Sequence, residues 1–168
     1  MVRVVEFLVQ KIGLSVDLQD STMVSPLFHH ISSYTSKYDE LYEPGLEDQW
    51  LEDLMADFEN NAMLERLIQL GAEINYEKNG LLPLTITLES HLFSHTTTLL
   101  DAGAKIKPIQ PQSGVPYPIH ACVKSTRLVN ADTRVQSDNT RSILRRLVKA
   151  GEDLIHRTQI NSTALHQG

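Results

Sequence analysis

The sequence predicts an all-α fold built as an array of repeated helix-turn-helix units. Two recurring phrases carry this prediction. A closing phrase, in which leucine and small or polar residues lead to glycine, occupies residues 67–71, 99–103, 147–151 and, in a weaker form, 8–13. An opening phrase, in most copies containing proline, occupies residues 25–28, 82–85, 117–120 and 163–166. Phrases that recur in alternation along a chain are typical of repeat architectures.

Each phrase has a physical role at one end of a helix. Proline suits the first helical position, because its φ is preset and its missing N–H would have had no helical partner. Pro26, Pro83 and Pro118 stand at this place in three opening phrases. Glycine just beyond a helix end adopts the left-handed conformation that closes the helix. Each unit is therefore expected to run from a turn through an inner helix and an outer helix to a glycine cap.

The opening phrases resemble the Thr-Pro-Leu-His helix start of the ankyrin-repeat family, and the resemblance covers nearly all of the chain outside two insertions. Successive closing glycines are 58, 32 and 48 residues apart. Against an ankyrin period of about 33 residues, one unit is nearly standard and two carry insertions of about 25 and about 15 residues. The resemblance implies one ankyrin-repeat solenoid domain over residues 1–168. Its units are 17–74, 75–106 and 107–154, with partial units 1–16 and 155–168.

Three helices are expected around the first insertion. An outer helix covers residues 3–12, an inner helix covers 25–34, and a second outer helix ends at Leu70. Within the insertion, apolar residues recur at intervals of three and four, which predicts a further helix between Leu46 and Phe58. We expect this helix to be ordered, with Trp50, Leu54 and Phe58 holding it against the stack.

The second unit has a turn signal at Asn79-Gly80, at the tip of its finger. Helices are expected near 82–90 and 94–102, followed by a proline-rich finger containing Pro108, Pro111 and Pro116. An inner helix covers 117–125 and an outer helix covers 140–150. The second insertion, between them, is rich in Asn, Asp, Ser and Thr. These residue types favour a loop, and we expect residues 127–139 to be more mobile than the acidic insertion.

Charge is divided between the two insertions. Residues 39–59 carry nine acidic side chains and no Lys or Arg, whereas residues 124–149 carry seven Lys or Arg against two Asp. The net charge of −6 disfavours non-specific nucleic-acid binding, which needs a cationic surface. Charged residues interrupt the apolar N-terminal stretch, which excludes a signal peptide or a membrane span there. The single cysteine, Cys122, indicates a reducing compartment, expected to be the cytoplasm of the producing cell or of an infected host.

Residues with reactive side chains do not form a recognisable catalytic or metal-binding pattern. His91 and His95 have the spacing of two ligands on one helix, but they straddle an expected turn. His120 and Cys122 are two residues apart, so they do not face each other on a helix. The acidic residues near Asp53 fit either a solvated helix face or an acidic docking surface. We therefore expect no enzyme activity, no metal and no cofactor.

The resemblance to ankyrin repeats implies a protein-protein interaction module, an adaptor or an effector like those that pathogens deliver into eukaryotic cells. The alternative is a substrate-targeting segment of a larger multidomain enzyme or effector. Trp50 fits either a packing role or an exposed anchor. The apolar first helix indicates further repeats, or a partner protein, against the ends of the array. The implied contacts come from the fingers and inner helices, at Val24, Phe28, Lys78, Asn79, Leu81, Thr85, Gln112, Val115 and Tyr117, with Trp50 on the inserted edge.

Overall fold

The computed structural model describes residues 2–33, 61–90, 92–106, 117–128 and 134–151. Within these ranges all regular structure is helical, which confirms the all-α prediction. The helices are α1 (Val2–Gln10), α2 (Pro26–Ser32), α3 (residues 61–69), α4 (Pro83–Glu89), α5 (Phe93–Asp101), α6 (Pro118–Leu128) and α7 (Arg134–Lys149).

The chain divides into two compact units, Met1–Tyr76 and Glu77–Gly168. The second unit contains α4 to α7. Here α4 packs against α5, and α6 packs against α7, so each pair is a helical hairpin. The two hairpins also pack side by side, with α4 against α6 and α5 against α7. The first helices of the hairpins thus form one layer, and the second helices form another.

In the first unit, one polar contact joins α3 to α1, and another joins the segment after α3 to the segment after α1. The Arg66 Nε atom of α3 lies 2.6 Å from the Glu6 Oε1 atom of α1. The Glu73 backbone N–H donates to the Asp17 carboxylate over 2.9 Å. Glu6 and Arg66 are half-buried, so solvent screens the attraction between them only in part.

Proline opens α2, α4 and α6 at the first helical position, as the sequence predicts. Ser25 caps α2, because its Oγ atom accepts a hydrogen bond from the Phe28 N–H at 3.3 Å. Leu82 precedes α4 and has no capping side chain. Its carbonyl instead accepts from the N–H groups of Thr85 and Ile86 at 3.0 and 3.2 Å. Preset proline geometry therefore starts α4 without help from a capping side chain.

Left-handed glycine closes the helices, as predicted: φ is +91° at Gly71, +85° at Gly103 and +95° at Gly151. After α3, the Gly71 N–H donates to the Ile68 carbonyl and the Ala72 N–H donates to the Leu67 carbonyl. The same two bonds recur after α5, from Gly103 to Leu100 and from Ala104 to Leu99. This pair of bonds is the Schellman motif, which satisfies carbonyls that the helix leaves without partners.

The turn that closes α1 contains one residue more than the turns that close α3 and α5. Gly13 also has a positive φ, of +78°, but the Leu14 N–H reaches back to the Leu8 carbonyl and the Ile12 N–H to the Phe7 carbonyl. The extra residue in the weaker closing phrase is therefore accommodated in the turn. The Leu8 carbonyl accepts a bond from the residue after the closing glycine, as the Leu67 and Leu99 carbonyls do after α3 and α5. These three leucines therefore occupy corresponding positions in their helices.

The core of the second unit surrounds α4, whose residues from Pro83 to Leu88 are all buried. Leu99, Ile119 and Leu147 from the three neighbouring helices are also fully buried. Each such side chain contributes about 1.5–3 kcal/mol relative to an exposed one, an upper value because unfolded chains already bury some apolar surface. Apolar burial around α4 is thus the main stabilising term in this unit.

Two buried threonines join α4 to α5. The Thr96 Oγ1 atom lies 3.0 Å from the Thr87 Oγ1 atom and 2.9 Å from the Leu92 carbonyl oxygen. The Thr87 hydroxyl in turn lies 3.0 Å from the Leu84 carbonyl. Two hydroxyl protons therefore serve three hydrogen-bonding contacts, so the two side chains form one small network.

The predicted loop at residues 127–139 is wrong over much of its length. Helix α6 extends to Leu128, and α7 already begins at Arg134 rather than near residue 140. No glycine or proline occurs between Pro118 and Gly151, so neither of the strong helix-breaking residues opposes helix at 127–128 or 134–139. Buried Ile143 and Leu147 anchor α7, and the helix propagates from them through residues of modest helix propensity.

Several predictions lie outside the described residues. They are the inserted helix with Trp50, Leu54 and Phe58, the proline-rich finger at 108–116, and the closing segment 155–168 with the fourth opening phrase. The comparison of mobility between the two insertions belongs with them.

Gly103→Ala should lower the free energy of unfolding by about 1–2 kcal/mol, the cost of the left-handed conformation for a residue with a Cβ. No atom lies within 4 Å of a Cβ added at Gly103, so no clash contributes. Urea unfolding measures the change. Gly103→Asn should cost less, because asparagine tolerates this conformation better. Equal stability of the wild type and the alanine variant would contradict the assignment of strain to the backbone.

Thr87→Val and Thr96→Val should each lower the free energy of unfolding by about 0.5–1.5 kcal/mol, because each removes the hydrogen bond between the two buried hydroxyl groups. The double variant should cost less than the sum of the two, since it removes both partners. Thr97→Val is the control: Thr97 is exposed on the same helix, and its change should stay within about 0.5 kcal/mol. Strict additivity of the two buried substitutions would argue against a shared network.

Candidate functional site

The turns that lead into α2 and α4 are the candidate binding elements. We define the first finger as residues 14–25, which lead into α2, and the second finger as residues 72–82, which lead into α4. Asp20 organises the tip of the first finger. Its carboxylate accepts hydrogen bonds from the Thr22 N–H and hydroxyl and from the Val24 N–H, at 2.8, 2.7 and 3.0 Å. These bonds, led by the Thr22 side chain, hold the pKa of Asp20 below its usual value, so the carboxylate stays charged.

Met23 lies at this tip in an unusual backbone conformation. Its φ is +59°, a value that non-glycine residues rarely adopt, and its side chain is 63% exposed. Two backbone bonds close the tip, from Met23 N–H to the Asp20 carbonyl and from Asp20 N–H to the Val24 carbonyl. The Met23 carbonyl also accepts a hydrogen bond from the Tyr76 hydroxyl. The surroundings thus hold an apolar side chain outward at some cost in backbone strain.

Tyr76 connects this tip to the start of α2. Its ring meets the ring of Phe28 edge to face, with centroids 5.9 Å apart and an interplanar angle of 84°. Aromatic pairs in this geometry contribute about 0.5–1.5 kcal/mol beyond their buried area. The first finger is therefore a braced loop with a fixed shape.

A two-residue hairpin forms the tip of the second finger. Lys78 and Leu81 exchange backbone hydrogen bonds of 3.1 and 2.9 Å across the turn. Asn79 and Gly80 between them both have positive φ, +53° and +78°, which is the type I′ geometry that this pair of residues favours. The turn signal read from Asn79-Gly80 is thereby confirmed.

The predicted partner-binding residues divide between surface and core. Asn79 is exposed, and Val24, Lys78, Leu81 and Tyr117 are half-buried. The structure places two others in the core: Phe28 is 6% exposed and Thr85 is 2% exposed. Gln112, Val115 and Trp50 lie outside the described residues.

Tyr117 precedes α6 in the same way as Leu82 precedes α4. Its carbonyl accepts hydrogen bonds from the N–H groups of His120 and Ala121 at 2.9 and 3.0 Å. Its ring meets the His120 imidazole edge to face at 6.3 Å. The ring is therefore held beside the start of α6 with part of its surface open to solvent.

The cysteine and two of the histidines in the described residues lie in the interior, whereas His29 on α2 is exposed and His30 is half-buried. Cys122 is buried, and desolvation raises the pKa of its thiol to about 12. His95 and His120 are buried as well, while His91 lies outside the described residues. In the described ranges, no three His, Cys, Asp or Glu side chains gather as a metal-binding group. The described helices also include none with the length and apolar character needed to cross a membrane.

Comparison with known proteins gives no family. No protein-family model matches the chain, and no curated protein matches its sequence. A proposal for its function therefore rests on the sequence and the structure of the chain.

Sequence reasoning missed Asp20 and Met23. The signal for Asp20 is present, since Asp followed two residues later by Thr is a common pattern for a turn in which the carboxylate binds the backbone ahead. Met23 has no such local signal. Its position depends on Tyr76, which is distant in sequence.

The thiol of Cys122 should resist labelling in the native protein. Raising its pKa from 9.0 to about 12 lowers the thiolate fraction near neutral pH about a thousandfold, and burial blocks access as well. Reaction with a chromogenic disulfide should therefore follow unfolding of the unit. A variant combining Cys122→Ala with Thr97→Cys is the control, because position 97 is exposed and its thiol should label at once. Equal labelling rates for Cys122 in native and unfolded protein would contradict the buried placement.

The same thiol should make the protein less stable in alkali. Because the folded state holds the proton more tightly than the unfolded chain, stability falls as pH rises above about 9. The slope from this group is at most about 1.4 kcal/mol per pH unit. Denaturant unfolding of wild type and Cys122→Ala across this range isolates the contribution.

Proposed function

We propose that the chain is an ankyrin-repeat solenoid that binds a partner protein through its fingers and the adjoining helix starts. The observation that carries this proposal is the packing of the second unit. There, two helical hairpins lie side by side, with first helix on first helix and second helix on second helix. Repeat proteins stack their units in this way, because a single hairpin cannot bury its apolar faces alone.

The helix ends support the same proposal. Proline stands at the first position of α2, α4 and α6, and left-handed glycine follows α3, α5 and α7, so the three proposed helix pairs begin and end in the same way. The hairpin tip at Asn79-Gly80 matches the extended finger that precedes each ankyrin helix pair. The proposed units are 17–74, 75–106 and 107–154.

The fingers suit protein binding because their tips are rigid. Hydrogen bonds to Asp20 brace the first tip, and a backbone hairpin braces the second. A loop that is already ordered loses little conformational entropy on binding, which favours affinity. The exposed or half-buried side chains at these tips differ in chemistry: Met23 is apolar, Asn79 is polar and Lys78 is cationic.

The proposed role is binding without catalysis, as an adaptor or an effector. The only thiol of the chain is buried and protonated, and His95 and His120 are enclosed in the core, whereas His29 is exposed and His30 is half-buried on α2. Catalytic groups need contact with substrate, whereas the buried side chains contact the helices around them. Their burial supports a structural role.

Substitutions that add negative charge to the second finger should weaken partner binding without lowering stability. Partners captured by the wild-type chain are tested for binding to Lys78→Glu, Asn79→Asp and Lys149→Glu. The two finger substitutions should weaken binding by about tenfold, a change of about 1.4 kcal/mol. Lys149→Glu is the matched control, because Lys149 is exposed at the end of an outer helix.

Asn79→Asp tests the surface and not the turn, since aspartate also tolerates positive φ. Melting temperatures of all three variants should stay close to that of the wild type. Equal partner binding by all variants, or stronger loss with Lys149→Glu, would refute the finger surface. Substrate turnover by the isolated chain would refute the non-catalytic role.

A further inference from the structure

Helix α1 and the turn after it expose an unusual amount of apolar surface. Eight large apolar side chains in the described residues are exposed, and six of them lie between Val4 and Leu18. Val4 and Phe7 are 58% and 54% exposed, and no residue of α1 is fully buried. Single exposed apolar residues are ordinary, whereas a cluster on one element marks an interaction surface.

The exposure is confined to one side of α1. Val2, Val5, Glu6 and Val9 are half-buried and recur at helical intervals, on the side where Glu6 meets Arg66 of α3. The opposite side carries two parallel ridges, each with residues four apart. One ridge is Val4, Leu8 and Ile12, and the other is Arg3, Phe7 and Lys11.

Comparison with the other helices identifies this side as a helix-packing surface. Leu8 occupies the same place, relative to the closing turn, as Leu67 and Leu99, which are 2% and 0% exposed. Leu8 itself is 38% exposed. A position that α3 and α5 bury is therefore open on α1.

Two cationic side chains flank Phe7 on this surface. Arg3 and Lys11 are exposed one turn on either side of Phe7, and no carboxylate of the described residues pairs with either of them. Glu6, the single acidic residue of α1, is in contact with Arg66 on the other side of the helix. A ligand for this surface thus meets an apolar centre with a cation at each end.

We propose that this outer face of α1, formed by Arg3, Val4, Phe7, Leu8 and Lys11, docks an amphipathic helix of a partner protein. The apolar side of that helix inserts against Val4, Phe7 and Leu8. Acidic residues at both ends of its apolar side pair with Arg3 and Lys11. This surface is separate from the fingers, and it does not depend on the ankyrin assignment.

Charge favours such a partner over a second copy or a membrane. Two α1 helices facing each other, parallel or antiparallel, bring like charges together at both ends, which is destabilising. The chain's net charge of −6 opposes binding to an anionic lipid surface, and two exposed cations offer little compensation.

Two synthetic helical peptides of about 18 residues test the proposal, a length at which helices form in water. Both present the same leucine face, flanked by Glu in one and by Lys in the other. The Glu peptide should bind the full chain about tenfold more tightly than the Lys peptide, by fluorescence anisotropy. Phe7→Ala should weaken binding by a similar factor, and the double variant Arg3→Glu, Lys11→Glu should reverse the preference. The substituted side chains are exposed, so the melting temperature should not change.

Lys78→Glu controls for the fingers and should leave peptide binding unchanged. Loss of peptide binding in that variant, while Phe7→Ala binds normally, would move the site to the fingers and overturn the proposal. Equal affinity for the two peptides would overturn it as well. So would Phe7-dependent sedimentation with phosphatidylserine vesicles, or Phe7-dependent dimerisation in analytical ultracentrifugation. Failure of the finger variants in the partner assay would leave this result unaffected.

Discussion

The left-handed glycine at a helix end is the constraint on which the rest of the described structure depends. At Gly71 and Gly103 it lets two N–H groups turn back onto carbonyls of the last turn, so two of the groups that a helix end leaves without partners are satisfied. The two hairpins of the second unit, α4–α5 and α6–α7, each end at such a glycine, Gly103 and Gly151. Apolar packing then acts between two hairpins that close in the same way.

Helix boundaries set by backbone chemistry could be predicted from the sequence. Pro26, Pro83 and Gly103 act through φ and a missing or redirected N–H group, which are local properties. The prediction of a loop at 127–139 was wrong because it rested on residue types whose local preferences are weak. Asn, Asp, Ser and Thr only weakly disfavour a helix, and packing of Ile143 and Leu147 outweighs that preference. A polar segment that contains no glycine or proline is thus a poor basis for predicting a loop.

The candidate site was harder to predict because exposure depends on neighbours. The family pattern implies a surface role for both Asn79 and Thr85. Asn79 does lie at an exposed tip, whereas helices on several sides enclose Thr85. Met23 shows the same limit, since a distant tyrosine holds its backbone. Turn chemistry can be read residue by residue, but burial is a property of the assembled units.

The enclosure of α4 bears on how the second unit is made during synthesis. Seven residues are too few for an isolated helix to persist in water. The cover over α4 includes α6, which begins only at Pro118. As the chain leaves the ribosome, α4 and α5 therefore emerge before the surface that stabilises them exists. Full burial of the α4 leucines therefore requires the chain to have been made at least through α6.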